Sequence, residues 1–132
     1  MKKILFFGLS VAVLMAFNIK SGKNYVCESE GISFEDKNQT RNIPNTPETQ
    51  ALLKQTLKDF YTINLAKDQN GTITVKVGKI EEKMFYQKKW RGYEQYVNAD
   101  SSAVLMPDKN ESTNNVVLVL PQDRLMIFYK CK

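Results

Sequence analysis

Two cysteines, Cys27 and Cys131, stand near the two ends of this 132-residue chain, and it has no others. In a compartment where thiols oxidise, each has the other as its natural partner. A bridge between them closes a loop of about 100 residues, which the chain-entropy account values at about 4.7 kcal/mol. Small domains are stable by only about 5–15 kcal/mol, so that is a large share. The bridge also constrains topology, because bonded cysteines hold their Cα atoms within about 7 Å. The first and last strands of the domain are therefore expected to be neighbours.

The N-terminus asks for such a compartment. Met1-Lys2-Lys3 is followed by fourteen apolar or small residues, Ile4 to Phe17. These are the charged and apolar regions of a secretory signal, and the run is short of the roughly 20 apolar residues a membrane span needs. No A-x-A motif precedes the polar stretch 18–24, which leaves Ala16 and Asn18 as the best-placed last residues of a cleaved signal. Nor does a lipoprotein cysteine follow, since Cys27 lies ten residues past the apolar run. The expected organisation is a signal peptide or short uncleaved anchor over 1–20 and a single exported domain over 21–132. The expected address is the bacterial periplasm, or the membrane facing it.

Removing the leader changes the charge argument. Nineteen basic and fourteen acidic residues give the whole chain +5. Lys2, Lys3 and Lys20 leave with the first twenty residues, so sixteen stand against fourteen and the domain carries about +2. Net charge of that size argues against nucleic acid as a partner, and gives no reason to expect membrane contact except through the N-terminal segment. The remaining residues suffice for one domain with a modest core.

Histidine is absent from the chain. Ser-His and Cys-His nucleophilic machinery, histidine metal sites and the usual near-neutral proton shuttle go with it. With both cysteines bridged, zinc lacks a ligand set, so neither metal nor cofactor is expected.

Along the chain, residues 24–34 read as a first strand with Tyr25 and Cys27 on one face and a bulge at Gly31. Glu35 to Asn45 reads as loop. Thr46-Pro47-Glu48 then supplies an N-cap, a first-turn proline and an acid. Leu53, Leu57 and Phe60, joined by Leu52 and Tyr61, form an apolar stripe, predicting a helix over about 47–60. The remainder reads as an antiparallel meander. Asn70-Gly71 between alternating runs is a hairpin signal, and further strands are expected at about 80–88, 93–99, 101–106, 116–120 and 125–131. Candidate core positions on these are Phe85, Tyr86 and Leu105, then Val117, Val119, Leu125, Ile127 and Tyr129. The expected fold class is α+β: one amphipathic helix packed on a curved, mainly antiparallel sheet or small open barrel.

Three segments, Asp36-Lys37-Asn38-Gln39-Thr40, Asp68-Gln69-Asn70-Gly71-Thr72 and Asp108-Lys109-Asn110-Glu111-Ser112, share a pattern. Each contains Asn-x-Ser/Thr without proline, the N-glycosylation acceptor, in an expected surface loop. Each also has an aspartate two residues before the asparagine. This five-residue form resembles the extended acceptor site of the bacterial periplasmic oligosaccharyltransferase, and the resemblance implies that the aspartate serves as a charged handle for an arginine of that enzyme. Asn38, Asn70 and Asn110 are the candidate glycosylation sites.

A second signal is the run Lys83 to Tyr96, which interleaves aromatics with cations. Aromatic faces stack on sugars or bases while cations hold anions. Read structurally, the same run is a hairpin with its cations at a solvated tip. Trp90, with Lys88, Lys89, Arg91 and Tyr93, is the candidate binding surface, since Trp and Arg are common binding anchors.

Carboxylates offer the one route to hydrolysis. Glu28 and Glu30 fall two apart on a strand, about 7 Å between side chains, near the spacing of an inverting glycosidase pair. A solvent-facing strand accounts for them equally. Three functional expectations follow. The first is a non-catalytic binding or accessory domain contacting envelope protein or glycan. The second is an inhibitor-type module, since a small exported β-domain with an end-to-end disulfide is similar in outline to periplasmic lysozyme inhibitors. That family's Ser-Gly-containing loop is absent here, so no residue role is carried over. The third is a carboxylate hydrolase on Glu28 and Glu30, and the expectation is that the chain is not an enzyme.

Overall fold

The computed structural model describes residues 19–91, 93–108 and 114–132, the side chain of Trp90 excepted. Alternation of apolar and polar side chains sets the local structure. In β1 (Asn24–Asp36), Tyr25, Cys27 and Ser29 point inward between exposed neighbours. At Gly31 the pairing slips by one residue, and Ile32 takes over the inward position. Lys37 and Asn38, at φ 50° and 65°, turn the chain into β2 (Gln39–Pro44). Two positive φ values in a two-residue loop are what the twist of a tight hairpin requires.

After β2 the chain makes one helical excursion, α1 (Gln50–Leu57), followed by a 3-10 turn at Lys58–Phe60. An antiparallel meander then runs through β3 (Thr62–Lys67), β4 (Ile73–Val77), β5 (Ile80–Trp90) and β6 (Tyr93–Val97). It continues in β7 (Val104–Pro107), β8 (Asn115–Leu120) and β9 (Leu125–Cys131).

The sheet closes. Its order is β2-β1-β3-β4-β5-β6-β7-β8-β9, and β1 pairs again with β9. One edge of β1 carries β9 over Cys27–Phe34; the other is shared, β3 taking Asn24–Glu28 and β2 taking Gly31–Asp36. Eight strands thus form a closed antiparallel barrel, with β2 laid outside the ring as a ninth. The α+β expectation is therefore corrected. The helix is one short element rather than a layer, and what it packs against is the inside of a barrel end. Among the described residues no helix is long and apolar enough to cross a membrane.

Local readings fare unevenly. The bulge at Gly31 and the strand segments of the meander stand, whereas the expected 35–45 loop contains β2. The helix starts three residues late, because Thr46 to Thr49 close a tight turn instead. The Thr46 carbonyl accepts from the Thr49 and Gln50 amides, and Thr49 Oγ1 accepts from the Thr46 amide. Of the helical stripe, Leu53 and Leu57 are buried, while Leu52 is exposed. Phe85 and Tyr86, expected in the core, are 46% and 51% exposed, and Met84 points inward in their place. On β8 the parity is reversed: Val116 and Leu118 face in, and Val117 and Val119 face out.

An eight-stranded barrel is just wide enough for side chains to fill it. Ile63 and Leu65, Ile73 and Val75, Leu105, Ile127 and Tyr129 do so, each at most 3% exposed. The two ends are finished differently. At one, the helix end, Leu53 and Leu57 drop in from α1. At the other, the cysteine end, Ile19 is 3% exposed within the core, and the Lys20 amide donates to the Tyr25 hydroxyl. Ser21 continues this lower seal, bridging in parallel to Lys67 and donating its hydroxyl to the Asp68 carbonyl.

Candidate functional site

The barrel is packed solid through its middle and opens at the helix end. A cavity of about 560 Å³ lies there. Its apolar walls come from the strand ends: Val75 and Val77 of β4, Ile80 and Met84 of β5, Leu118 and Leu120 of β8. These positions arise because the inward-facing rows of β4 and β8 continue past the last fully packed layer. Asn98, Ser102 and Ala103, in the loop between β6 and β7, form the rim. The 56–60 segment, from the end of α1 through the 3-10 turn, forms a partial cover along one side of the opening.

The cover is pinned at named points. From inside the barrel the Tyr129 hydroxyl donates to the Phe60 carbonyl. Asp59 sits against Gly78 in the β4–β5 turn, so closely that a Cβ on Gly78 would lie 2.6 Å from Asp59 Oδ2. Further back, Asn45 Nδ2 donates to the Ser29 carbonyl at 2.7 Å and to the Tyr61 hydroxyl at 2.8 Å. The Tyr61 hydroxyl in turn reaches Glu28 Oε1 at 3.3 Å, and the Ser29 amide donates to the Tyr61 carbonyl. The excursion from β2 to β3 is thus fastened to the bulged stretch of β1 at both its ends.

The rim is held by its own polar groups. Asn98 is 6% exposed; its Oδ1 accepts from the Ala103 amide at 3.0 Å and its Nδ2 donates to Ser102 Oγ at 2.9 Å. Hydrogen bonds from the Ser102 hydroxyl and amide hold the exposed Asp100 carboxyl below its usual range. Deeper in, burial pushes the Tyr129 phenol well above the ordinary tyrosine value, so it remains a neutral donor to the cover. A mostly apolar concavity with a few placed polar groups at a barrel mouth has the character of a small-molecule site.

The sequence-derived candidates fall elsewhere. Cys27 and Cys131 are register partners in the β1–β9 pair and are bonded, consistent with an exported domain. Lys88 and Lys89 are exposed near the end of β5, Trp90 pairs in register with Tyr93, and Arg91 turns the hairpin at φ 50°. These five residues are brought together as one hairpin tip, at the cysteine end, away from the cavity. The Trp90 side chain lies outside the described residues.

Asn38 is exposed in its hairpin turn, with Asp36 3.5 Å from Arg41 Nε. Asn70 is exposed in the β3–β4 turn, where Asp68 Oδ1 accepts from the Asn70 and Thr72 amides. Asn110 lies outside the described residues, as does the apolar segment 4–17. Glu28 and Glu30 are both exposed on the outside of β1, with Glu28 tied to Tyr61. Among the described residues no group of three Cys, Asp or Glu is placed to hold a metal ion.

The cavity has no local signature in the sequence. Its lining consists of ordinary strand residues, and the nearest thing to a signal is the apolar Val77 and Ile80 flanking a Gly-Lys turn, where polar residues are the rule. Comparison with known proteins returns no match: no family model, no curated protein and no solved structure.

Proposed function

We propose that this chain is an exported, non-catalytic binding domain that takes a small, mainly apolar molecule into the cavity at the helix end of its barrel. The single observation that carries this reading is the cavity: about 560 Å³ at the barrel mouth, walled mainly by apolar strand ends and bordered by the pinned 56–60 segment. Pockets for small ligands commonly lie in the range of about 300–1,000 Å³ and in barrel mouths. The apolar walls supply affinity by burial, while Ser102 and Thr56 at the opening offer hydroxyls for orientation.

Export rests on the N-terminal Lys-Lys and apolar run, supported by the bridged cysteines. The proposal includes N-glycosylation at Asn38 and Asn70, supported by their exposure in turns and by the aspartate two residues before each. Intact mass of the protein from its native host tests these modifications directly.

Binding is tested by titrating the protein with an apolar, environment-sensitive dye of fatty-acid size. Saturable one-site uptake is expected, lost in Ala103→Phe, which fills the cavity, with little change in melting temperature. Absence of saturable uptake at millimolar dye, or uptake indifferent to Ala103→Phe, contradicts the reading.

A further inference from the structure

We infer that the cysteine end of the barrel is a contact surface for an anionic phospholipid bilayer. The domain's charge is small in total but unevenly distributed. The segment entering this end brings Lys20 and Lys23, and β9 leaving it brings Lys130, with Lys132 following. The β5–β6 hairpin adds Lys88, Lys89 and Arg91, and the last residue of β3 is Lys67. Among the described residues these eight cations share the end with three acids, Asp68, Glu94 and Asp108. All three acids are engaged locally: Asp68 Oδ1 takes two turn amides, Glu94 Oε2 takes the Tyr96 hydroxyl at 3.0 Å, and Asp108 has a partner of its own. Elsewhere on the described barrel eight cations stand against ten acids. A net charge near zero over most of the surface and about +5 at one end orients the molecule in the field of an anionic surface.

Chain length selects a bilayer over a soluble acidic partner. The apolar run ends at Phe17, and Ile19 is already in the barrel core at the cysteine end. One intervening residue spans only a few ångströms, at most about 3.6 Å per residue. While the run sits in a membrane, this end of the barrel is therefore held against the headgroups and the cavity mouth faces away. The tip of the β5–β6 hairpin adds Trp90 and Tyr93, residue types that favour the bilayer interface. Attraction of this kind is screened by salt, because exposed lysines act over about a Debye length.

Trp90 is the single tryptophan of the chain and stands at the hairpin tip, so it reports on this contact without labelling. The full-length chain is reconstituted in vesicles of phosphatidylcholine alone or mixed with phosphatidylglycerol. Quenching of Trp90 by acrylamide, a neutral aqueous quencher, is then compared with quenching by bromine-labelled lipid. In the anionic vesicles acrylamide quenching is expected to fall several-fold and lipid quenching to rise, both reverting in molar salt. Lys88→Gln with Lys89→Gln should weaken the effect, and Lys37→Gln with Lys79→Gln, at the helix end, should not. Equal acrylamide access in both vesicle types overturns the proposal and returns the cationic end to a soluble acidic partner. Protection that survives both salt and the Lys88/Lys89 changes also overturns it, since the contact would then be apolar.

Discussion

Gly31 lies so close to Ile43 that a Cβ on it would come within 2.6 Å of the Ile43 carbonyl oxygen. The neighbouring Pro44 Cα would be 2.9 Å away, and the Gly31 φ is +146°. This approach lets one strand serve three neighbours. The bulge at Gly31 bends β1, so that one edge passes from β3 to β2 while the other follows β9. Gly31→Ala must displace backbone rather than a mobile side-chain tip, and backbone strain of this sort costs about 1–3 kcal/mol. A urea midpoint lowered by that amount, with an unchanged slope, is the expected result; an unchanged midpoint contradicts the packing at β2.

The disulfide closes the barrel seam. Val26 and Lys132 exchange both backbone hydrogen bonds across it, and the adjacent Cys27–Cys131 pair holds its Cα atoms 4.0 Å apart. The bridge spans 104 residues of sequence, so its removal frees nearly the whole unfolded chain. Cys27→Ser with Cys131→Ser should cost about 2–5 kcal/mol, read as a lower melting temperature that reductant lowers no further.

Helix α1 presents one face only. Leu53→Ala removes a fully buried side chain from the barrel end and should cost about 2–5 kcal/mol. Leu52→Ala, at 52% exposure, should fall within about 0.5 kcal/mol of the parent. A reversed order in chemical denaturation would mean that the helix is rotated.

Tyr129 carries the cover's attachment from inside the barrel. Tyr129→Phe leaves the Phe60 carbonyl without this donor, a loss of about 1–3 kcal/mol when such a group stays buried. Faster amide exchange confined to residues 56–61 is expected, with the remaining strands protected as before.

Tyr129 and Tyr96 also set an alkaline limit. Burial, as the largest cause, raises both phenols above the ordinary tyrosine value; for Tyr96 the Glu94 carboxylate adds to it. A raised folded-state value favours the protonated form in the native protein. The stability this confers is therefore fully present below pH of about 10 and is lost as base ionises the unfolded chain's tyrosines. In an ultraviolet titration, Tyr96 and Tyr129 should ionise only together with loss of the near-ultraviolet circular dichroism. Free titration of these two phenols while the fold persists would contradict their burial.

Much of this was legible in the residues. The alternation in β1, the break at Gly31, the turn at Asn70-Gly71 and the apolar pair Leu53 and Leu57 are local, and local geometry expresses them directly. The parity of Val116 to Val119 was not, because four consecutive apolar residues alternate equally well either way. Nor was β2, whose side chains are mostly exposed and whose place depends on backbone bonds to β1. The candidate tip at Trp90 was found as a unit, but its place at the cationic, N-terminal end came only with the fold.

What the sequence by itself determined is the strands of the meander, the pairing of Cys27 with Cys131 and the neighbourhood of first and last strands. What only the tertiary structure decided is closure, the cavity and the separation of charge. A strand reads the same in an open sheet as in a barrel, since its side chains alternate identically in both. Closure is settled by β1 meeting β9 across more than ninety residues of chain, a pairing no local pattern encodes. Once the ring is shut, the inward rows of β4 and β8 run past the packed core to make a mouth. Lysines far apart in sequence, Lys20, Lys88 and Lys130, meet at the other end because their strand ends do.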